Sequence, residues 1–155
     1  MDTAKAKDLA NAQISEGADI IFQVKGGAGN GVIEAAAEKD GVMAIGVDSD
    51  QYQALEGSNL QPAVITSSLK RLDNALFNIC QSYAEDPSSV PFGENVTYGL
   101  AEDSVGIVFN DNLTNSIGQE NVDKVQEALE KIQVGEIEVT EAAGLSAEEI
   151  DAIVQ

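Results

Sequence analysis

Glycines and carboxylates follow two apolar stretches near the start of the sequence, and these residue types at this spacing could bind a polar ligand. The apolar run 20–24 has the pattern of a strand buried on both faces of a parallel sheet. A helix is predicted over 32–39, and a second buried strand over 42–47 ends in Asp48 and Asp50. The loop after the first strand contains four glycines: Gly26, Gly27, Gly29 and Gly31. Parallel sheets bind ligands at the carboxyl edge of their strands, so this loop and Asp48 are candidate ligand-binding groups.

The glycine-rich loop is compatible with more than one interpretation. A dinucleotide-binding fold also places glycines after a strand and an acidic residue roughly 20 residues later. The loop reads Gly-Gly-x-Gly-x-Gly, however, and does not match the G-x-G-x-x-G spacing of that fold. The glycines could also serve only a tight turn and close packing of the following helix. The loop by itself leaves these interpretations open.

The charge of the chain excludes several classes of partner and site. Its 155 residues include 27 acidic and 8 basic side chains, which gives a net charge of −19. Contacts with nucleic acids and anionic membranes depend on Lys and Arg, so we expect neither partner. The chain contains no histidine, which excludes histidine-based triads and histidine metal sites within it. No metal or cofactor is expected.

Cysteine and apolar patterns bear on redox chemistry and on membranes. Cys80 lies in a helical pattern without a second cysteine, and we expect it to be a small buried apolar residue. No apolar run approaches the roughly 20 residues of a membrane-spanning helix. The sequence as given is also expected to carry no signal peptide or lipid-anchor cysteine.

Helical and strand patterns continue through the first half of the chain. A helix is predicted from about Lys5 up to the first strand, and a third short strand is predicted over 63–66. Ser67 or Ser68 is expected to cap the next helix, which places Lys70 in its first turn. A cation there opposes the helix dipole, which is a mild indication of a functional role. The apolar face predicted for this helix consists of Leu69, Leu72, Leu76, Ile79 and Tyr83.

The second half begins after a Pro- and Gly-containing linker. Strands that form a hairpin are predicted over 95–100 and 105–109, followed by a polar loop over 110–118. An apolar stripe over 122–132 predicts a helix, and 137–139 is predicted as a short strand. A capping box of Ser146 and Glu149 then predicts a last short helix: a serine hydroxyl and a glutamate three residues later satisfy each other's backbone N–H groups.

Five motifs occur in one order along the chain. They are Ala18-Asp-Ile-Ile-Phe-Gln-Val-x-Gly-Gly-x-Gly, Ala44-Ile-Gly-Val-Asp-Ser-Asp-Gln51, Ile65-Thr-Ser-Ser-Leu-Lys-Arg71, Tyr98-Gly-Leu and Lys131-Ile-x-x-Gly-Glu-Ile137. Together they closely resemble the C-terminal half of the basic membrane protein family. Members of that family are substrate-binding lipoproteins of ABC importers, similar to purine-nucleoside receptors. The resemblance extends from about Ala4 to Val139.

The resemblance implies both a fold and a set of ligand-binding residues. The fold is an α/β, parallel-sheet lobe of a type I periplasmic-binding protein, flavodoxin-like or Rossmann-like in arrangement, and truncated here. By position in the motifs, the backbone of Gly26 and Gly27 lies against a nucleoside. Asp48 is expected to accept hydrogen bonds from the ribose hydroxyls, and Lys70 to donate to the same ligand. The implied function is solute binding without catalysis, with an importer permease as the partner of the parent protein.

Departures from the family pattern also lead to expectations. Family members are about twice as long, and the resemblance implies that they are extracytoplasmic and lipid-anchored at the cell membrane. Residues 1–86 are expected to form the core of the second lobe, and 87–155 to contain segments that partly join the first lobe in the parent fold. We expect the chain to form a homodimer, or else to fold these strands onto its own core, because strands that lack their lobe promote association. The alternatives are a nucleotide-cofactor-binding Rossmann-like domain and a structural fragment that binds no ligand.

Overall fold

The computed structural model describes residues 2–140 and 145–154, and within these ranges the chain is a mixed α/β protein. Its helices and strands follow in the order α1 (Thr3–Ser15), β1 (Ile20–Phe22), α2 (Asn30–Ala37), β2 (Met43–Asp48), α3 (Gln51–Ala54), β3 (Val64–Lys70), α4 (Leu72–Glu85), β4 (Val105–Ile107), α5 (Asp111–Ile117), α6 (Gln119–Gln133) and α7 (Ala147–Val154). Short 3-10 helices lie at Gly26–Gly29, Gln61–Ala63 and Pro87–Ser89. None of the helices in the described ranges combines the length and apolar character that a bilayer crossing requires.

The four strands of the described residues form one sheet in the order β1-β2-β3-β4. β1 and β2 are parallel, and β2 and β3 are parallel, with Asp48 opposite Leu69. β4 pairs antiparallel with β3, with Val105 opposite Lys70. The predicted arrangement of three parallel strands is therefore confirmed. The strand predicted over 42–47 lies in the interior of the sheet, as a doubly buried strand requires.

Helices cover both faces of the two central strands. On one face, α1 and α2 pack over Ala44 of β2 and Val64 of β3, which are both fully buried. On the other face, Leu113 of α5 and Val122 of α6 pack over Ile65. Successive side chains of a strand point to opposite faces, so Val64 packs in one layer and Ile65 packs in the other. This explains why the sequence of these strands contains adjacent apolar residues.

β1 lies at the edge of the sheet and is covered on one face only. Ile21 is 8% exposed in the layer beneath α1 and α2, whereas Ile20 and Phe22 are 46% and 53% exposed. The layer on the other face is formed by α5, which packs against β3, two strands away. The prediction that both faces of this strand are buried is therefore wrong for the chain.

The contact between α1 and α2 depends on a glycine. A Cβ atom at Gly31 would lie 2.1 Å from the carbonyl oxygen of Thr3, so no larger residue fits without separating the helices. At the rim of this contact, the Nζ of Lys7 lies 2.7 Å from the Oε1 of Glu38 and 3.4 Å from the Oε2 of Glu34. The hydrogen bond to Glu38 raises the pKa of Lys7 above its ordinary value, as does the weaker one to Glu34.

β3 is longer than the sequence predicts, which changes the placement of three polar residues. The strand continues to Lys70, so Ser67 and Ser68 lie within it and cap no helix. Ser67 is fully buried, and its hydroxyl accepts a hydrogen bond from the backbone N–H of Gln51. The buried oxygen therefore has a hydrogen-bond partner. Lys70 is the last residue of the strand, whereas α4 begins at Leu72. The predicted conflict between the lysine charge and a helix dipole is therefore absent.

The segments on either side of β4 also differ from the prediction. Residues 95–100 are irregular, and β4 pairs with β3 instead of forming a hairpin with them. Residues 110–118, predicted as a loop, contain α5. The helix forms because the Oδ1 of Asn110 accepts from the backbone N–H of Leu113 at 2.8 Å, a helix cap.

The end of the chain agrees with the prediction in part. The helix predicted over 122–132 is α6, but 137–139 is irregular and forms no strand. The final helix α7 is confirmed, together with its capping box. The backbone N–H of Ser146 donates to the Oε2 of Glu149 at 2.8 Å, and the N–H of Glu149 donates to the Oγ of Ser146 at 3.3 Å.

Of its predicted apolar face, α4 exposes Leu72, Leu76 and Tyr83, together with the neighbouring Phe77, whereas Leu69 lies in β3. Leu72, Leu76 and Phe77 are between 63% and 66% exposed, and Tyr83 is half exposed. We call these four residues the α4 stripe. Cys80 on the same helix is also exposed, so the prediction of a buried cysteine is wrong. No residue of α4 is buried, because no layer of the described chain covers this side.

The polar side of α4 is held by the turn that precedes β4. The side chain of Arg71 pairs with the carboxylate of Asp103, and its backbone N–H donates to Ser104 O at 2.8 Å. The Nδ2 of Asn74 donates to both the carbonyl and the carboxylate of Asp103, at 2.9 Å each. The direction of α4 is thus fixed by this turn rather than by apolar packing.

Candidate functional site

The carboxyl ends of β1, β2 and β3 lie side by side and present the residues that the sequence singles out. The 3-10 helix Gly26–Gly29 follows β1, Asp48 ends β2, and Lys70 ends β3. These three strands are parallel neighbours, so the glycine loop, the carboxylate and the ammonium group lie along one edge of the sheet. We call this edge the candidate site.

Asp48 and Lys70 form an ion pair at this edge. The Nζ of Lys70 lies 2.7 Å from the Oδ1 of Asp48, and the two side chains are 55% and 48% exposed. The pair is therefore open to a ligand from solvent. The sequence predicts that both residues lie near the ligand, but it does not predict their direct contact. That contact arises because β3 extends to Lys70 and brings the lysine beside the end of β2.

The backbone of Asp48 has an uncommon conformation. Its φ is +69°, in the left-handed region that L-residues other than Asn and Asp rarely adopt. The chain leaves the strand through this residue, and the N–H of Ser49 donates to the carbonyl of Val47 at 2.9 Å. The left-handed turn ends the extended chain at the point where the carboxylate meets Lys70. Backbone strain of this kind occurs often at ligand-binding positions.

The glycine loop leaves space at its start and is tightly packed at its end. Gly26 has a φ of +51°, and a Cβ atom built on it would meet no atom within 4 Å. The backbone conformation therefore requires glycine at position 26, and the space next to this residue is open. At Gly29 a Cβ atom would lie 1.8 Å from the Oε1 of Gln23, so this glycine is required by packing.

Two glutamines behind the candidate site are not predicted from the sequence as functional residues. Gln23 is 2% exposed, and its Nε2 donates to the Oε1 of Gln51 at 2.8 Å. The Oε1 of Gln51 also accepts from the backbone N–H of Val47 at 3.0 Å. The Oε1 of Gln23 accepts from the N–H of Lys25 at 3.2 Å. A signal was present: Gln23 interrupts an apolar run, and Gln51 closes one of the five motifs.

The groups at this edge are able to form hydrogen bonds with a neutral polar ligand. A carboxylate accepts hydrogen bonds, an ammonium group donates them, and a ligand hydroxyl does both. Among the residues that the structure describes, no group of three or more Cys, Asp or Glu side chains is arranged to hold a metal ion. The arrangement is an open polar edge on an α/β lobe, the class of fold that the family resemblance implies.

The sequence family agrees with this class. The family described as ABC transporter substrate-binding protein PnrA-like matches residues 1–143, and the chain belongs to it. A CD4+ T-cell-stimulating antigen from Listeria monocytogenes is 35% identical over 149 residues, which is 88% of this chain and 40% of that protein. An ABC transporter nucleoside-binding protein, BmpA, from Lactococcus lactis is 32% identical over 111 residues, or 64% of this chain and 31% of that protein.

Solved structures show the same fold. A solute-binding protein of an ABC transporter system from Aeropyrum pernix superimposes with a TM-score of 0.67 at 23% identity, and it covers 99% of this chain. A second, from Conexibacter woesei, has a TM-score of 0.61 at 21% identity and covers 90% of this chain. The chain spans 48% and 43% of these two proteins, and 40% of the Listeria relative. It thus corresponds to less than half of each.

Proposed function

We propose that this chain is the ligand-contacting second lobe of a purine-nucleoside-binding protein of an ABC importer, and that it performs no catalysis. The observation that carries the proposal is the ion pair of Asp48 and Lys70 beside the glycine loop. The name of the Lactococcus lactis relative, a nucleoside-binding protein, supports the same ligand class. The site comprises Gly26, Gly27, Asp48 and Lys70.

The chemistry of the pair suits the ribose of a nucleoside. The ribose 2′ and 3′ hydroxyls are vicinal, so one can donate to the carboxylate of Asp48 while the other accepts from the ammonium group of Lys70. Before a ligand binds, the ammonium group of Lys70 and the carboxylate of Asp48 pair with each other at 2.7 Å, and both side chains are about half exposed. A ligand that lacks both hydroxyls would exclude water from this half-exposed pair without replacing the hydrogen bonds to water, which gives the site its selectivity. The exposed backbone at Gly26 and Gly27 is left for the remainder of the ligand.

The partners of the whole protein follow from the same proposal. A permease would receive the ligand, and lipid anchoring at the outer face of the cell membrane would keep the protein near it. Residues 1–86 would form the core of the lobe, and 87–155 would include segments that reach the other lobe. The net charge of −19 argues against nucleic acid as a partner.

Titration of the 15N-labelled chain with inosine, guanosine and adenosine, followed by NMR, tests the proposal. A sub-micromolar receptor has a binding free energy of about −8 kcal/mol, and half of that corresponds to a dissociation constant of roughly 1 mM. We therefore expect millimolar binding, with shifts at the amides of Gly26, Gly27 and Asp48. The 2′,3′-dideoxy analogue of inosine is the matched control and should cause no shifts. Shifts confined to other surfaces, or preferential binding of NADH, would refute the assignment.

A second candidate, self-association without tight ligand binding, is favoured by the exposed α4 stripe. Leu72, Leu76 and Phe77 are all more than 60% exposed, and Phe92 beside Tyr83 is 73% exposed. Apolar patches of this kind promote association, so we propose that two copies pair through their α4 stripes. Light scattering should give twice the monomer mass of 16.2 kDa. Leu76→Glu should restore the monomer, whereas Asp73→Lys on the same helix should not.

A further inference from the structure

We propose that Gln23 and Gln51 are positioning residues, which hold the glycine loop and the end of β2 in the geometry that the candidate site needs. Neither needs to touch the ligand to do this. Their hydrogen bonds join the three strands whose ends form the site. The part of this inference that concerns a nucleoside rests on the proposed function; the part that concerns the geometry of the loop and strand does not.

The orientation of both amide groups is fixed by backbone donors. A backbone N–H can only donate, so the atom that it meets must be an oxygen. The N–H of Val47 meets the Oε1 of Gln51 at 3.0 Å, and the N–H of Lys25 meets the Oε1 of Gln23 at 3.2 Å. The Nε2 of Gln23 is then the donor in its 2.8 Å bond to Gln51. The hydrogen bonds therefore have one defined direction from loop to strand.

These bonds attach to backbone next to each part of the candidate site. Lys25 immediately precedes Gly26, and Val47 immediately precedes Asp48. The backbone N–H of Gln51 donates to the hydroxyl of Ser67 at 3.1 Å, which connects the same group to β3. A displacement of either glutamine would therefore be transmitted to the loop, to the left-handed residue at the strand end, or to both.

Glycines make room for the two amides. A Cβ atom at Gly46 would lie 2.6 Å from the Oε1 of Gln51 and 2.5 Å from the Oγ of Ser67. A Cβ atom at Gly29 would lie 1.8 Å from the Oε1 of Gln23. β2 and the loop thus each omit a side chain at the position where a glutamine lies. A buried polar group is costly when its hydrogen bonds are incomplete, so this network favours a single arrangement.

Substitutions that remove one direction of hydrogen bonding at a time test the inference. Gln51→Glu keeps an acceptor for both Val47 N–H and Gln23 Nε2, whereas Gln51→Met is similar in length and accepts neither. Gln23→Glu keeps the acceptor for Lys25 but has no donor for Gln51. Gln51 must then turn its amide to donate, and Val47 loses its acceptor. Gln61→Glu is the matched control, since it removes an amide donor to the carbonyl of Tyr52, which lies outside the network.

Amide hydrogen exchange of the ligand-free chain is the first measurement. Gln51→Met and Gln23→Glu should each accelerate exchange at Val47 roughly tenfold, as expected for the loss of one hydrogen bond. Gln23→Glu should leave Lys25 protected, and Gln51→Glu should leave both amides protected. This pattern depends on bond direction, and a general loss of stability would not produce it. Equal acceleration at all amides, or protection of Val47 in Gln51→Met, would overturn the inference.

The inosine titration is the second measurement and separates this inference from the proposed function. Gln51→Met should weaken inosine binding at least threefold and shift the Asp48 amide, while Gln51→Glu and Gln61→Glu bind as the unmodified chain does. If the exchange pattern holds and no variant or parent binds inosine, the proposed ligand is wrong and the positioning role stands. If inosine binds equally well to Gln51→Met, the two glutamines do not position the site.

Discussion

Replacing Asp48 with glycine should separate the stability of the chain from its ligand binding. Asp48 has a φ of +69° and forms a half-exposed ion pair with Lys70. Glycine adopts a positive φ without steric cost, so Asp48→Gly relieves the backbone strain and removes the carboxylate at the same time. Most substitutions at a binding residue change stability as well, whereas here opposing effects on stability are expected to cancel.

The size of the stability change follows from three contributions. Relief of the left-handed strain is worth about 1 kcal/mol in favour of the variant. Loss of an exposed ion pair costs about 0.5 kcal/mol. The greater freedom of glycine in the unfolded chain costs about 0.5–1 kcal/mol. The free energy of unfolding should therefore change by less than about 1 kcal/mol, which urea denaturation followed by circular dichroism resolves.

Ligand binding should respond much more strongly. In a receptor with both lobes, loss of buried charge-assisted hydrogen bonds from Asp48 should cost about 2–4 kcal/mol of nucleoside affinity, or roughly 30- to 700-fold. For the isolated chain, a millimolar dissociation constant should become too weak to measure, and the inosine-dependent NMR shifts should disappear. Persistence of these shifts in Asp48→Gly would refute the role of the carboxylate. Sub-micromolar binding by the unmodified chain would show that the lobe alone supplies the site.

Asp103→Gly is a closely matched control for this experiment. Asp103 also has a positive φ, of +51°, and its carboxylate also pairs with a basic residue, Arg71. It lies in the turn before β4 and outside the candidate site. Asp103 additionally accepts from Asn74, so its loss should destabilise the chain more than the loss of Asp48. Inosine binding should nevertheless be unchanged.

Other regions of the chain give three further predictions. Gly31→Ala should destabilise the fold by about 1–3 kcal/mol in urea denaturation, because overpacking against α1 outweighs the gain in helix propensity. Gly99→Ala should not, since its Cβ atom would make only an ordinary van der Waals contact, 3.7 Å from the Oε2 of Glu102. The backbone N–H of Ser146 holds the pKa of Glu149 below its ordinary value of 4.5, so the cap of α7 should be intact above pH 4.5 and lost as the pH falls through the lower folded value. NMR of α7 amides should show this acid transition, and Glu149→Gln should abolish it. Finally, Cys80 should react with a thiol reagent as fast in the folded, monomeric Leu76→Glu variant as after denaturation, and slow reaction would contradict its exposure.

Local apolar patterns predicted the parallel core well because both faces of β2 and β3 are covered. Residues 42–47 and 63–66 contain adjacent apolar residues, and such runs have few alternatives to a buried strand. The same reasoning failed for β1. Its apolar pattern is typical of a strand buried on both faces, but only one face of β1 is covered. Nothing in 20–24 indicates that the layer on the second face packs against β3 and leaves this strand uncovered. Apolar periodicity predicts which face requires burial but not what buries it, and α4 illustrates the same limit.

Boundaries that depend on long-range contacts were predicted poorly. Ser67 resembles a helix cap by residue type, yet its hydroxyl accepts a hydrogen bond from the backbone N–H of Gln51, 16 residues earlier. The strand continues past this serine to Lys70. The ion pair of Asp48 and Lys70 follows from that extension. β4 pairs with β3 rather than with 95–100, which is nearer in sequence, because β3 has an edge that can accept another strand. The helix-dipole argument also singled out Lys70, but on a wrong placement, so only the family resemblance supports this residue.

The hydrogen bonds and the ion pair on the polar side of α4 affect the rate at which two copies of the chain associate. Arg71, Asn74 and Asn78 hold this helix against the turn at 102–104 before any partner arrives. Its backbone therefore has little conformational freedom left to lose in the encounter, and no folding step should slow the association. The remaining barrier is repulsion between chains that each carry a charge of −19. Added salt screens that repulsion, so the association rate of this acidic chain should rise with ionic strength, whereas the rate at which the pair separates should change little.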